Sequence, residues 1–231
     1  MEQTITNTPS HFRCYSDKSF LPSFSRECQE YFTTAVAENQ VIVFVCIGSD
    51  RATGDSLGPF TGSLLAGKHK KEQNQRFALH HDTTSNFLFH KKKMHQASFY
   101  HKSYVYGTLH DPVHAVNLPH VIREIYSRWD APYLIAIDAA LGEKKNIGSI
   151  NMAPGSLMPG IGVKKDLPHI GNMYITGTVN QIATQDPNYT LQTTHLSTIV
   201  DLSTFIASGI FDALSLCHVT YPCALPVPDK A

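Results

Sequence analysis

Two aspartates draw attention by their placement. Asp55 lies in a small, polar loop, Gly48-Ser49-Asp50-Arg51-Ala52-Thr53-Gly54-Asp55-Ser56-Leu57-Gly58-Pro59. Asp138 closes the apolar run Tyr133-Leu134-Ile135-Ala136-Ile137. Two carboxylates held within a few Å cannot both ionise cheaply. One pKa rises, and the pair then offers an acid and a base in a single site. Such a pair suits activation of water against a peptide bond, or the holding of a divalent metal that does the same. Taken singly, each acid fits an ordinary role slightly better, because Asp after a strand commonly caps a helix or forms an Asx turn.

Other candidates in the same stretches are weaker. Asp50 reads as a loop-shaping residue with Arg51 as partner, and Asp166 is a weaker candidate than either acid above. Ser56 has no G-x-S-x-G elbow around it. The loop lacks both the Gly-Lys-Ser/Thr ending of a phosphate loop and a G-x-G-x-x-G, which argues against a nucleotide fold. His195, beside Thr193 and Thr194 ahead of the last helix, reads as structural or exposed. Cys46, inside an apolar run, reads as a small buried thiol. The backbone N–H groups of Gly48 and Ser49 are candidates to polarise a substrate carbonyl next to the acids.

The elements that must position these residues follow from the hydrophobic pattern. Val41-Ile42-Val43-Phe44-Val45-Cys46-Ile47 is apolar without alternation, which suits a strand buried on both faces of a parallel sheet. Pro59 is placed to open a helix, where its missing N–H costs nothing. Further strands are expected over 103–109, 133–140, 147–152 and 171–179. Helices are expected over 26–39 and over 191–216. Asp111 and Pro112 predict a helix start, with Asp as N-cap and Pro at N1. That helix runs to about Trp129 and either kinks at Pro119 or begins again after it. Strands alternating with helices predict an α/β fold, a three-layer α/β/α sandwich with a mainly parallel sheet. If the strands ending near Asp55 and Asp138 are neighbours, their acids converge at one sheet edge.

The expected organisation is an arm and helix over 1–40, one α/β/α domain over 41–216, and an extended tail over 217–231. Within the domain, about 68–101 is rich in Lys, His and Gln and reads as a solvated surface insertion. Its His80, His81, His90 and His95 lack ligand spacing. A formal net charge of zero argues against a dedicated nucleic-acid binder, although thirteen histidines make the charge climb below about pH 6.5. Five cysteines without C-x-x-C spacing fit a reducing, cytoplasmic compartment rather than a disulfide framework. No signal pattern opens the chain, and no apolar run is expected to reach the ~20 residues of a membrane span.

At these residues the chain resembles a known family. The stretches Gly48 to Pro59, Val105-Tyr106-Gly107-Thr108-Leu109 with Asp111-Pro112-Val113-His114-Ala115 and Asn117-Leu118, Ala136-Ile137-Asp138-Ala139, and Pro159-Gly160 with Gly162-Val163 are similar to the YyaC-type sporulation proteins of spore-forming bacteria. His110 stands where that pattern has Asp. The family is similar in turn to the germination protease that degrades small acid-soluble spore proteins, and more distantly to hydrogenase maturation peptidases. The resemblance implies a phosphorylase/hydrolase-like α/β/α fold and a forespore or spore location. It also implies that Asp55, in Asp55-Ser56-Leu57-Gly58-Pro59, and Asp138 match the proposed aspartic catalytic pair of the germination protease. In the maturation peptidases the corresponding acids, with a histidine, bind nickel, so a metal-dependent version would use Asp55 and Asp138. The expectation is a peptidase acting on protein or peptide substrates, small spore proteins among them, with no cofactor and no membrane or nucleic-acid partner. The alternative is a non-catalytic binding or regulatory protein that keeps the acids for loop structure.

Overall fold

A computed structural model describes residues 10–13, 18–67, 102–159, 168–182, 186–219 and 223–224. The strands are β1 (Ser10–Arg13), β2 (Ile42–Cys46), β3 (Ser103–Tyr106), β4 (Tyr133–Gly142), β5 (Ser149–Pro154), β6 (Met173–Gln181) and β7 (Cys223–Ala224). The helices are α1 (Leu21–Ala37), α2 (57–67), α3 (Leu118–Arg128), α4 (Pro187–Gln192) and α5 (Leu196–Leu216). One sheet runs in the order β1-β5-β6-β4-β2-β3-β7. From β6 to β7 all neighbours are parallel, and β5 and β1 add an antiparallel edge.

The unalternating run in β2 has its cause in this architecture. Ile42, Phe44 and Cys46 face one apolar cluster, while Val43, Val45 and Ile47 face the other. Side chains alternate along a strand, so a strand buried on both faces must be apolar throughout. The first face is covered by α1 and α5. There Phe24 of α1 meets Phe205 of α5 with ring centroids 5.4 Å apart, and Phe32 meets Phe44 edge-on at 5.9 Å. The second face is covered by α3, through Leu118, Val121 and Ile125. The fold is therefore the three-layer α/β sandwich that the pattern predicts.

Several element boundaries differ from expectation. The N-terminal arm holds a strand that was not expected: β1 pairs with β5, and the Ser10 hydroxyl bonds the Glu27 carboxylate on α1. Helix α1 starts at Leu21, with Pro22 in its first turn, which is the start signal a helical Pro supplies. Asp111 and Pro112 start no helix. The Asn117 amide takes the His114 N–H (2.7 Å) and donates to the Pro112 carbonyl (2.9 Å), tying 112–117 into a turn. Helix α3 then begins at Leu118, so the chain restarts around Pro119 rather than kinking. The expected helix over 191–216 is split: Leu191 and Gln192 end a separate short helix, α4, and 193–195 link it to α5. Helix α5 does reach membrane-span length and apolarity, 21 residues at mean hydropathy 1.5, contrary to expectation. Its apolarity serves the core, since 61% of that window is buried inside the fold. The stretch read as an insertion, about 68–101, lies outside the described residues, as do Asp166 and most of the Pro159–Val163 motif.

Candidate active site

Strands β2 and β4 are parallel neighbours, with Cys46 opposite Ile137 as their last pair. Their carboxyl ends therefore open at the same edge, the place where open α/β sheets present functional groups. Asp138 is the first residue of β4 beyond that pair, but β4 runs on to Gly142 beside β6, so the acid lies inside its strand and does not end it as expected. The chain leaving β2 folds straight back on itself. Ser49 N–H donates to the Asp55 carbonyl at 3.1 Å, and Asp55 N–H donates to the Ala52 carbonyl at 3.0 Å. The Ser56 hydroxyl closes the turn onto the Thr53 carbonyl at 2.6 Å. This fold-back requires glycine at 48. Its φ is +135°, and a Cβ there would lie 1.9 Å from the Asp55 carbonyl oxygen. Gly58 plays the matching part at the start of α2, where a Cβ would come within 2.1 Å of the Ile47 carbonyl oxygen. The helix is thereby seated directly on the strand end.

The loop after β3 buttresses this turn. Val113 pairs with Ile47, and its carbonyl accepts the Gly48 N–H at 2.7 Å. Leu109 N–H donates to the Ser63 hydroxyl of α2 at 2.8 Å. The residues Thr108, Asp111, His114 and Asn117, prominent in the sequence, thus shape a supporting loop.

Asp138 is only 8% exposed. Its carboxyl is raised to about 8, chiefly by burial, with the Ala139 N–H pulling it down and the charge of Asp55 adding to the rise. The Ala139 N–H donates to Oδ1 at 2.8 Å. Near neutral pH, Asp138 therefore keeps its proton, as a carboxyl does when desolvation opposes its charged form. Asp55 is half-buried and sits on the turn above. The two acids are coupled, one a buried proton holder and the other more open.

The remaining candidates fall elsewhere. The Gly48 and Ser49 N–H groups, expected to polarise a carbonyl, already donate to Val113 and Asp55. Serving a substrate would mean breaking the bonds that shape the loop. Asp50 and Arg51 are exposed, and His195 is exposed ahead of α5. Cys46 is fully buried, with its thiol pushed up by burial. Among the described residues no group of three or more His, Cys, Asp or Glu side chains could share a metal. Two carboxylates alone fall short of the three protein ligands of a catalytic zinc centre. Sequence reasoning missed Thr176 and Asn151, which the strand register sets in line with Asp138. Their strands carry other polar residues, Thr178 and Asn180 on β6 and Ser149 on β5, so only the register could single these two out.

Comparison with known proteins agrees with the motifs. A family model described as a protein of unknown function, DUF1256, matches residues 14–78 and 91–209. The gap at 79–90 falls inside the stretch read as an insertion. An uncharacterized protein, YyaC of Bacillus subtilis (strain 168), is 38% identical over 174 residues, covering 75% of this chain and 70% of that protein. With its fold, its Asp55 loop and Asp138 on β4 in place, the chain belongs to the YyaC-type DUF1256 family.

Proposed function

We propose that the chain is a peptidase of aspartic type, acting through Asp55 and Asp138 on proteins in the cytoplasm of a sporulating cell or its spore. The observation that carries this reading is the Asp138 carboxyl, buried at the carboxyl edge of the sheet and holding its proton up to about pH 8 beside a second acid. The resemblance to the germination protease, whose proposed acids fall at these two positions, supports it. Small acid-soluble spore proteins are the corresponding substrate class.

In this mechanism Asp55, the more open acid, takes a proton from water as the water oxygen bonds to the amide carbon. Asp138 gives its proton to the carbonyl oxygen, so the tetrahedral intermediate forms neutral. Collapse of that intermediate breaks the C–N bond. The proton on Asp55 goes to the departing amine, and the hydroxyl proton returns to Asp138. An acid and a base held apart in pKa are what such a cycle needs. A second reading, a non-catalytic binding protein, draws on the occupied N–H groups at Gly48 and Ser49. They leave the proton of Asp138 as the main stabiliser of a developing oxyanion.

The test is cleavage of purified small acid-soluble spore proteins by the wild type, Asp55→Asn and Asp138→Asn. Each substitution is expected to lower the rate by at least ~100-fold, the scale of one general acid or base. The wild-type rate is expected to fall above about pH 8 as Asp138 ionises. Equal cutting by all three proteins, or none by the wild type with or without divalent metal, removes the peptidase reading. Asn caps a helix or turn as well as Asp, so a merely structural acid would tolerate the change.

A further inference from the structure

Asp138 has neighbours across the sheet. In the register, Asp138 of β4 lies opposite Thr176 of β6, and Thr176 lies opposite Asn151 of β5. Directly opposed residues share a face, so the three form one polar row. That face is the one α3 covers, as the cluster membership of Ala136 and Leu134 shows. Among the described residues, no β5 side chain joins the apolar cluster there. Thr176 is 8% exposed, like Asp138. The Asn151 amide oxygen is buried and has no hydrogen-bond partner.

A buried acceptor without a donor costs stability, and the native exceptions need a reason. Among the described residues two other side-chain oxygens share this condition, on Gln40 and Glu124. Glu124 uses its other oxygen for Arg128 and Tyr106. Gln40 precedes β2, at the opposite edge of the sheet from the acids. Asn151 alone is in line with the candidate acid.

We propose that Asp138, Thr176 and Asn151 form a binding row for one amide group of the substrate, with Asn151 Oδ1 accepting its N–H and Asp138 facing its C=O. This rests on the peptidase reading and adds a positioning residue to it. Two strand spacings put Asn151 and Asp138 about 10 Å apart between Cα atoms. That span is of the order of one amide unit and two hydrogen bonds of about 2.9 Å. An amide has the required polarity, a donor at one end and an acceptor at the other. Thr176 lies between them and keeps the middle of the row polar.

Two measurements test the row without relying on cleavage. The first is thermal melting of Asn151→Leu. Removing an orphaned acceptor and keeping the volume is expected to raise Tm by about 2–4 °C, the scale for a chain of this size. The second is an NMR titration with N-methylacetamide, the minimal secondary amide. The probe is expected to shift the Asn151 side-chain NH2 and the Ala139 N–H in the wild type, and the Ala139 shift is expected to drop at least tenfold in Asn151→Leu. An unchanged or lower Tm, no probe shift in the wild type, or equal Ala139 shifts in both proteins overturns the row. Probe binding without any proteolysis would leave the row standing and remove the peptidase reading. Proteolysis with an Asn151→Leu KM equal to wild type would do the reverse.

Discussion

The two faces of the sheet are built for different ends. One is roofed by two long helices, α1 and α5, and its apolar cluster runs across the sheet from Val105 of β3 to Ile150 and Met152 of β5. On the other, the only helix among the described residues is the 11-residue α3, over β2, β3 and β4. Past that helix, toward β6 and β5, the sheet carries Asp138, Thr176 and Asn151. The first face invests in apolar burial. The second gives up part of that burial to hold a protonated acid and an unpaired amide oxygen. Polar groups kept at such a cost mark the place where a fold trades stability for function.

The largest effect separating the faces is expected from Phe24→Ala. Phe24 is fully buried between α1 and α5, in contact with the Phe205 ring. Truncation is expected to cost about 3–5 kcal/mol in urea unfolding. The Asp138 titration, followed by NMR in the fraction still folded, is expected to stay unchanged. A moved titration would mean the two faces are not independent. Next comes Gly48→Ala, where the new Cβ meets the Asp55 carbonyl in a φ that L residues rarely adopt. The cost is roughly 3 kcal/mol. Here both stability and the Asp55–Asp138 coupling are expected to suffer, because the fold-back that carries Asp55 must open.

Much of this contrast was legible in the residues, and the losses have physical reasons. The runs at Val41 and Tyr133 identify central parallel strands, because only double-sided burial makes a strand apolar throughout. Their adjacency brings Asp55 and Asp138 to one edge. Thr176 and Asn151 stayed hidden because strand register is a long-range property, and a polar residue in a strand looks like ordinary alternation. The occupied N–H groups of Gly48 and Ser49 were hidden for a similar reason, since the first bonds Val113 of another loop and the second depends on how its own loop folds back onto Asp55. Asp111-Pro112 misled because Asn117 bonds locally to the turn and outcompetes a helix start there.

Asp138→Asn should reverse the usual direction of a buried-site substitution. The native carboxyl holds its proton to about pH 8, against 3.8 for a free side chain. Between these values the folded chain carries a proton that the unfolded chain has lost. Its contribution is complete below about pH 4, falls as pH rises by up to about 1.4 kcal/mol per pH unit, and is exhausted near pH 8. Asparagine never ionises. The difference in unfolding free energy between Asp138→Asn and wild type is therefore expected to grow in favour of the variant from pH 4 to pH 8. A pH-independent difference would mean that Asp138 is solvated and ordinary.

The smallest effect is the most discriminating for the pair itself. Three influences act on Asp138: burial first, then the Ala139 N–H, then the charge of Asp55. Asp55→Asn deletes only the last. The Asp138 midpoint, read from its carboxyl carbon shift in NMR, is expected to fall below the native value near 8 yet remain above 3.8, because burial persists. If it does not move, the two acids do not share a site and only their strand ends are neighbours. If it drops to an ordinary carboxylate value, Asp55 rather than burial holds the proton. The thin face would then owe its chemistry to the loop above it and not to the sheet beneath.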